Sequence, residues 1–257
     1  MQSDFAANGR AGLRWLTGDG IHYLVGFVFC AIFLWGFVEI AEEVVEGDSQ
    51  AYDRALLEWL READDLSDPL GPAWLEESVR DITALGGGAV LTLITVVVIG
   101  FLLLERKPRT IAFLVLAVLG GLMLSLLLKE LFDRPRPDFL PHGQSVYTQS
   151  FPSGHSMNAA VVYLTLASIL ARTQKAGAIK LYVVAMSIVV TVLVGLSRLY
   201  LGVHWPTDVL AGWTAGGAWA TACYLYFHHL QRRRVVEQEF GSGNGNPAGA
   251  RSGSGER

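Results

Sequence analysis

Apolar residues along the chain gather into six long stretches, 21–38, 82–104, 110–128, 156–171, 179–196 and 209–227. Each approaches the about 20 residues that a helix needs to cross a hydrocarbon core of about 30 Å. None alternates in two-residue steps over ten-residue units, which argues against a membrane β-barrel. The pattern predicts an all-α, polytopic membrane protein with six transmembrane helices. Polar segments divide the chain into an N-terminal segment 1–20, a six-helix membrane domain 21–230 and a tail 231–257. From Gly241 the tail turns to Gly, Ser, Asn and Pro with scattered charges, a composition that cannot bury a core and predicts disorder.

The longest polar break, 39–81, is acidic and contains one amphipathic pattern. Ser49 is placed to cap a helix carrying Ala55, Leu56, Trp59, Leu60 and Ala63 on one face, lying along the outer membrane surface. Packing on the end of the bundle is the simpler reading of this helix, and a lid is the alternative. Pro69, Gly71 and Pro72 then break the chain. Gly86, Gly87, Gly88, Gly120, Gly121, Gly216 and Gly217 permit close helix contact. The first span follows Arg10 and Arg14 but is long and lacks a small-x-small pattern before Glu39, so it reads as retained.

Composition agrees with a membrane protein: 51% hydrophobic residues, 17% charged and a positive mean hydropathy. The net charge of −4 says little, because the positions of the charges carry the information. With a cytoplasmic N-terminus, thirteen of the twenty Lys and Arg residues fall inside, among them Arg106, Lys107, Arg109, Arg172, Lys175, Lys180 and Arg232 to Arg234. The positive-inside rule therefore expects both termini in the cytoplasm of a multi-pass protein, in a bacterial plasma (inner) membrane. Four of the remaining seven, Lys129, Arg134, Arg136 and Arg198, cluster in or beside three short motifs. Cys30 and Cys223 lie within spans, where no disulfide is expected.

The motifs are K-x6-R-P at 129–137, P-S-G-H at 152–155 and S-R-x5-H-x3-D at 197–208. All three fall on the extracytoplasmic side, at the edges of apolar runs, where charged residues persist mainly for function. Pro206 suits the first turn of a helix, leaving His204 just before it and Asp208 four residues on. Asp208 can then hold Nδ1–H and leave Nε2 of His204 free to attack phosphorus. His155 opens the preceding helix, beside Ser153 and Gly154, whose hydroxyl and amide suit an anion. There it can protonate a leaving alkoxide and then activate water. Lys129, Arg136 and Arg198 suit the non-bridging oxygens; each cation at about 4 Å contributes on the order of 4 kcal/mol before desolvation, at an effective dielectric near 20. Alone, His204 reads equally well as an interfacial histidine, Ser153 as a helix cap and each cation as a snorkelling side chain. Spacing leaves Arg134 open as a rival to Arg136, or as a partner of Asp133 or Asp138. A metal site is disfavoured because three cations repel a divalent ion and no H-E-x-x-H pattern is present. His22, His228 and His229 read as interface anchors, and His142 belongs to no motif.

The segments KELFDRPRP, PSGH and SRLYLGVHWPTD, in this order, resemble the three signatures of the type-2 phosphatidic acid phosphatase superfamily. The resemblance implies phosphate contacts from Lys129, Arg136, Ser153, Gly154 and Arg198, attack by His204, acid and base roles for His155, and support from Asp208. It ranks Arg136 above Arg134. The family also contains soluble acid phosphatases and vanadate-dependent haloperoxidases, but six spans with an interfacial site favour a lipid-borne phosphate. The expected function is a metal-independent, cofactor-free lipid phosphate phosphatase acting on phosphatidic acid, phosphatidylglycerol phosphate or undecaprenyl diphosphate. A lipid-to-lipid phosphotransferase and a non-catalytic lipid-phosphate binder or transporter are the alternatives. The partners implied are the lipid bilayer and a membrane lipid phosphate substrate, with no nucleic acid.

Overall fold

A computed structural model describes residues 19–138 and 149–232. The expected tail beyond 232, the N-terminal segment before 19 and His142 lie outside the described residues. Every apolar stretch is helical, the second with a break at Leu85 to Gly87. In chain order the elements are α1 (Asp19–Glu46), α2 (Gln50–Trp59), β1 (Arg61–Glu62), β2 (Asp65–Pro69), α3 (Ala73–Ala84), α4 (Gly88–Leu104), α5 (Pro108–Phe132), α6 (Gly154–Thr173), α7 (Gly177–Tyr200) and α8 (Pro206–Arg232). Among the described residues, α1, α5, α6 and α7 are long and apolar enough to cross a membrane, and α3 with α4 adds a fifth candidate if the bent pair is one span.

The 27 residues of α8 are long enough to cross but less apolar, and packing explains why. This helix packs most extensively against α1 and α6. Small residues face those neighbours: Ala211, Ala215, Ala218 and Ala220 are buried, and a Cβ added at Gly216 would lie 2.7 Å from the Met157 carbonyl. A helix enclosed by other helices gains more from close approach than from lipid-loving bulk. The expected glycine contacts appear at Gly120 against Trp219, Gly121 against Val161 and Gly217 against Phe33, whereas nothing lies within 4 Å of a Cβ at Gly88.

Three departures from the sequence pattern matter for the site. The stretch 82–104 is not one straight helix: α3 and α4 meet at a 48° bend across Leu85 to Gly87. A Cβ at Gly86 would lie 2.3 Å from Val194 and 3.2 Å from the His155 carbonyl, so the bend is pressed against the start of α6. Secondly, α1 runs 28 residues, about 42 Å at 1.5 Å per residue, and carries the acidic connection's first turns as continuous helix. Thirdly, the connection contains an antiparallel ribbon, β1 with β2, that amends the all-α expectation.

The amphipathic helix is present as α2, but it faces differently from its apolar pattern. Leu57 and Asp53 are its buried residues, while Ala55, Leu56, Trp59 and Ala63 are exposed, and Ala63 lies beyond its end. Leu57 packs with Leu199 and Val209, a burial worth about 1.5–3 kcal/mol. Ser49 occupies the N-cap position, yet its side chain makes no cap bond and instead accepts from Arg134 Nη2 at 3.4 Å. The polar contacts of Asp53 outweigh the apolar stripe in setting how α2 docks.

Candidate active site

The C-terminal ends of α5 and α7 meet the N-terminal ends of α6 and α8, and the three motifs come together there. Lys129 is in the last turn of α5, buried, with Nζ donating to the Gln149 carbonyl at 2.7 Å. Its side chain passes Gly154, where an added Cβ would be 3.4 Å from Lys129 Cε. A methyl at 154 would sit in ordinary contact with the lysine, and a longer side chain would crowd it. The Ser153 amide donates to the Asp208 carbonyl at 2.9 Å, tying the start of α6 to α8. At Gly212 an added Cβ would meet the Ser153 carbonyl at 2.7 Å, so a glycine one turn past Asp208 allows that approach.

His204 precedes α8 and is fully buried. Its Nδ1 lies 3.3 Å from Asp208 Oδ2 and 3.4 Å from Ser150 Oγ, and its Nε2 lies 3.1 Å from Arg136 Nη1. A guanidinium only donates, so Nε2 accepts from Arg136, and Nδ1 carries the proton toward Asp208. This tautomer leaves a lone pair on Nε2. Burial pushes the His204 imidazole down to about 3, with Asp208 opposing and Arg136 and Arg198 acting in the same direction as burial. Arg136 also donates to the Val203 carbonyl at 2.6 Å.

Asp208 is wholly buried and saturated with donors. Oδ2 accepts from Ser150 Oγ and, at 2.9 Å, from the Trp205 amide, while Oδ1 accepts from Arg134 Nη1 at 2.7 Å. Arg134 thus turns away from the reactive nitrogen. It pairs with Asp208 and with Asp53 at 2.7 Å each, and bonds Thr207 Oγ1 at 2.7 Å, rather than pairing with Asp133 or Asp138. Of the two arginines, Arg136 is the one beside Nε2.

Arg198 is buried, with Nη1 donating to Thr83 Oγ1 at 2.9 Å. Its buried Nε has no hydrogen-bond partner among the described residues, a donor left for an anion to satisfy. His155 is half-buried in the first turn of α6, within electrostatic range of Arg198, Arg136 and Lys129. Ser153 is fully buried and serves as the N-cap of α6, its Oγ accepting from the Ser156 amide at 3.5 Å and from Ser156 Oγ at 3.0 Å. Its oxygen caps the helix by accepting in both bonds, which leaves the hydroxyl hydrogen to donate.

Several partners were not singled out from sequence. Ser150, Thr83 and Thr207 carried no signal. Asp53 carried a faint one, a carboxylate four residues before Leu57 on the face that α2 buries.

A family pattern described as the PAP2 superfamily matches residues 110–232, which hold all three motifs. The chain is 43% identical over 147 residues to phosphatidylglycerophosphatase B of Bacillus subtilis, covering 56% of this chain and 70% of that protein. It is 34% identical over 89 residues to undecaprenyl-diphosphatase of Sulfolobus acidocaldarius, covering 35% of this chain and 38% of that one. In three dimensions it resembles the crystal structure of a transmembrane PAP2 type phosphatidylglycerolphosphate phosphatase from Bacillus subtilis, with a TM-score of 0.72 and 31% identity, over 79% of this chain and 98% of that one. The shared pattern, the relative matched over most of its length and the common fold agree: the chain belongs to the PAP2 superfamily.

Proposed function

We propose that this phosphatase removes phosphate from a membrane lipid phosphate or diphosphate through a phosphohistidine. Candidate substrates are phosphatidic acid, phosphatidylglycerol phosphate and undecaprenyl diphosphate. The observation that carries the mechanism is the His204 ring, held at Nδ1 by Asp208 with its Nε2 lone pair directed at the Arg136 guanidinium. A phosphoryl group binding Lys129, Arg136 and Arg198 draws Arg136 off Nε2 and presents phosphorus to it. Nε2 then forms the N–P bond as the bond to the lipid oxygen breaks, and protonated His155 supplies that oxygen's proton. Neutral His155 next takes a proton from water, whose oxygen attacks phosphorus. The N–P bond breaks, releasing inorganic phosphate and restoring His204. Ser153 and Gly154 line the phosphate seat at the start of α6, Ser153 through the hydroxyl hydrogen that its two accepted bonds leave uncommitted.

An apolar crevice of about 230 Å³ supports a lipid substrate. It runs between α4, α5 and α6, past Leu91, Leu119 and Leu122 to Asn158, one turn from His155. An acyl or isoprenoid chain fits there while the head group reaches the cations. We place this site on the extracytoplasmic side, within six spans that include α8, because the charge distribution favours it.

The test is a panel of lipid phosphates in micelles, assayed for released phosphate with and without chelator. Release unaffected by chelator is expected, as is abolished turnover in His204→Ala and nearly abolished turnover in His155→Ala. Lys129→Ala is expected to raise KM and lower kcat. Normal turnover by His204→Ala would remove the nucleophile. Transfer of phosphate to a second lipid without free phosphate would mean a phosphotransferase, and silence toward every lipid would mean a binder.

A further inference from the structure

A second cavity opens at the other end of the bundle. It has a volume of about 700 Å³, within the range of ligand sites, and lies between α1, α6, α7 and α8. Its wall on α6 ends at Arg172, seventeen residues beyond His155, which at 1.5 Å per residue puts it about 25 Å from the catalytic end. Away from that end the lining is apolar, with Val25, Phe29, Leu164 and Val184. The mouth carries Arg172, Lys180, His22 and His228. Such a division, greasy below and cationic at the mouth, matches one class of molecule in a bilayer.

His228 makes the match specific. Arg172 Nη1 lies 3.2 Å from His228 Nδ1 and 2.6 Å from Gln231 Oε1, and its guanidinium stacks 4.7 Å from the Tyr224 ring. Because the guanidinium only donates, Nδ1 of His228 accepts and Nε2 carries the hydrogen. That Nε2 is buried and has no hydrogen-bond partner among the described residues. A buried N–H without an acceptor is costly, and the ring that carries it lines the cavity beside Arg172 and Lys180. A small turn of the ring toward the cavity would give it an anionic oxygen as acceptor.

We propose that this cavity holds an anionic phospholipid from the leaflet opposite the catalytic site, its phosphate at Arg172, Lys180 and His228 and one acyl chain among Val25, Phe29 and Val184. The proposal concerns a resident lipid and does not depend on the catalytic reading. The full chain, reconstituted in vesicles of equimolar phosphatidylglycerol and phosphatidylcholine and released into detergent, is to be analysed for retained lipid by native mass spectrometry. The wild type is expected to retain phosphatidylglycerol preferentially. Lys180→Gln, an exposed position, is expected to lower that preference about fivefold, the factor a single cation contributes near an anionic group. His228→Phe keeps the ring and removes the N–H, and is expected to lower it too. Lys175→Gln, at the nearby loop but outside the cavity, is the control. Equal retention of the two lipids by the wild type, or equal losses in Lys175→Gln and Lys180→Gln, would overturn the proposal.

Discussion

On the proposed phosphohistidine route His204 has to be neutral when phosphate arrives and cationic once it is phosphorylated, and its surroundings treat these states differently. Without an anion, burial and two guanidiniums hold it near 3, against an ordinary value of 6.5. The unfolded chain takes up this proton first as pH falls below 6.5, so the site withdraws stability between 6.5 and about 3 and none above that window. A bound phosphate neutralises the guanidiniums and favours the imidazolium. In ¹⁵N spectra of the labelled protein, His204 is therefore expected to stay neutral at pH 5 and to titrate higher when orthovanadate is added; a midpoint near 6.5 without anion would contradict the desolvated geometry. Such behaviour was legible from the sequence only in outline. The H-x3-D spacing gives the Asp208 contact because α8 starts at Pro206 and its first turn carries the carboxylate back over the residues just before it, His204 and Trp205. Ser150, which also reaches Asp208 Oδ2, is invisible to spacing because it approaches from another segment, 58 positions away.

At the scale of elements, α2 shows how one polar residue can redirect a helix. Its apolar pattern pointed to Leu56 and Trp59 as the inner face, but both are exposed. Asp53 instead accepts from Arg134, from the Thr207 amide at 3.0 Å and from Thr207 Oγ1 at 2.6 Å, holding the first turn of α8 from behind. Local pattern misses this because the partner lies 81 positions away. Periodicity likewise found the stretch 82–104 but not its bend, since hydropathy registers how apolar a segment is and not whether its axis is continuous. Asp53→Ala leaves Arg134 with one carboxylate in place of two and the Thr207 amide without its acceptor, and is expected to cost about 1–3 kcal/mol, read as a lower thermal midpoint in detergent. Asp53→Asn, which keeps the bond from Thr207, is expected to recover part of that stability. A role in positioning Asp208 also predicts reduced kcat with little change in KM for both variants, which a purely structural loss would not produce in the protein that remains folded.

For the whole molecule, hydropathy and charge gave the helical membrane architecture, because the bilayer imposes length and polarity on every span. What they could not give is mutual arrangement: the enclosure of α8 by small residues follows from packing among distant segments. Orientation is testable with an impermeant thiol reagent on spheroplasts of cells making single-cysteine variants. Asp64→Cys, in the turn between β1 and β2, is expected to react, and Lys175→Cys, between α6 and α7, is expected to be protected; the reverse would invert the topology.

The connection 39–81 holds fourteen carboxylic residues against three arginines, and most of these acids are exposed. It docks at the same end as the cationic pit, through Asp53 and Leu57. A positive well with a negative brim repels dissolved anions arriving from bulk water, whereas a molecule already floating in the leaflet arrives beneath the brim. Ionic strength separates these two routes, because counter-ions screen the first more than the second. Added salt should therefore lower KM for a water-soluble phosphate ester such as p-nitrophenyl phosphate and leave KM for a micellar lipid phosphate nearly unchanged; parallel changes would mean that the brim discriminates nothing.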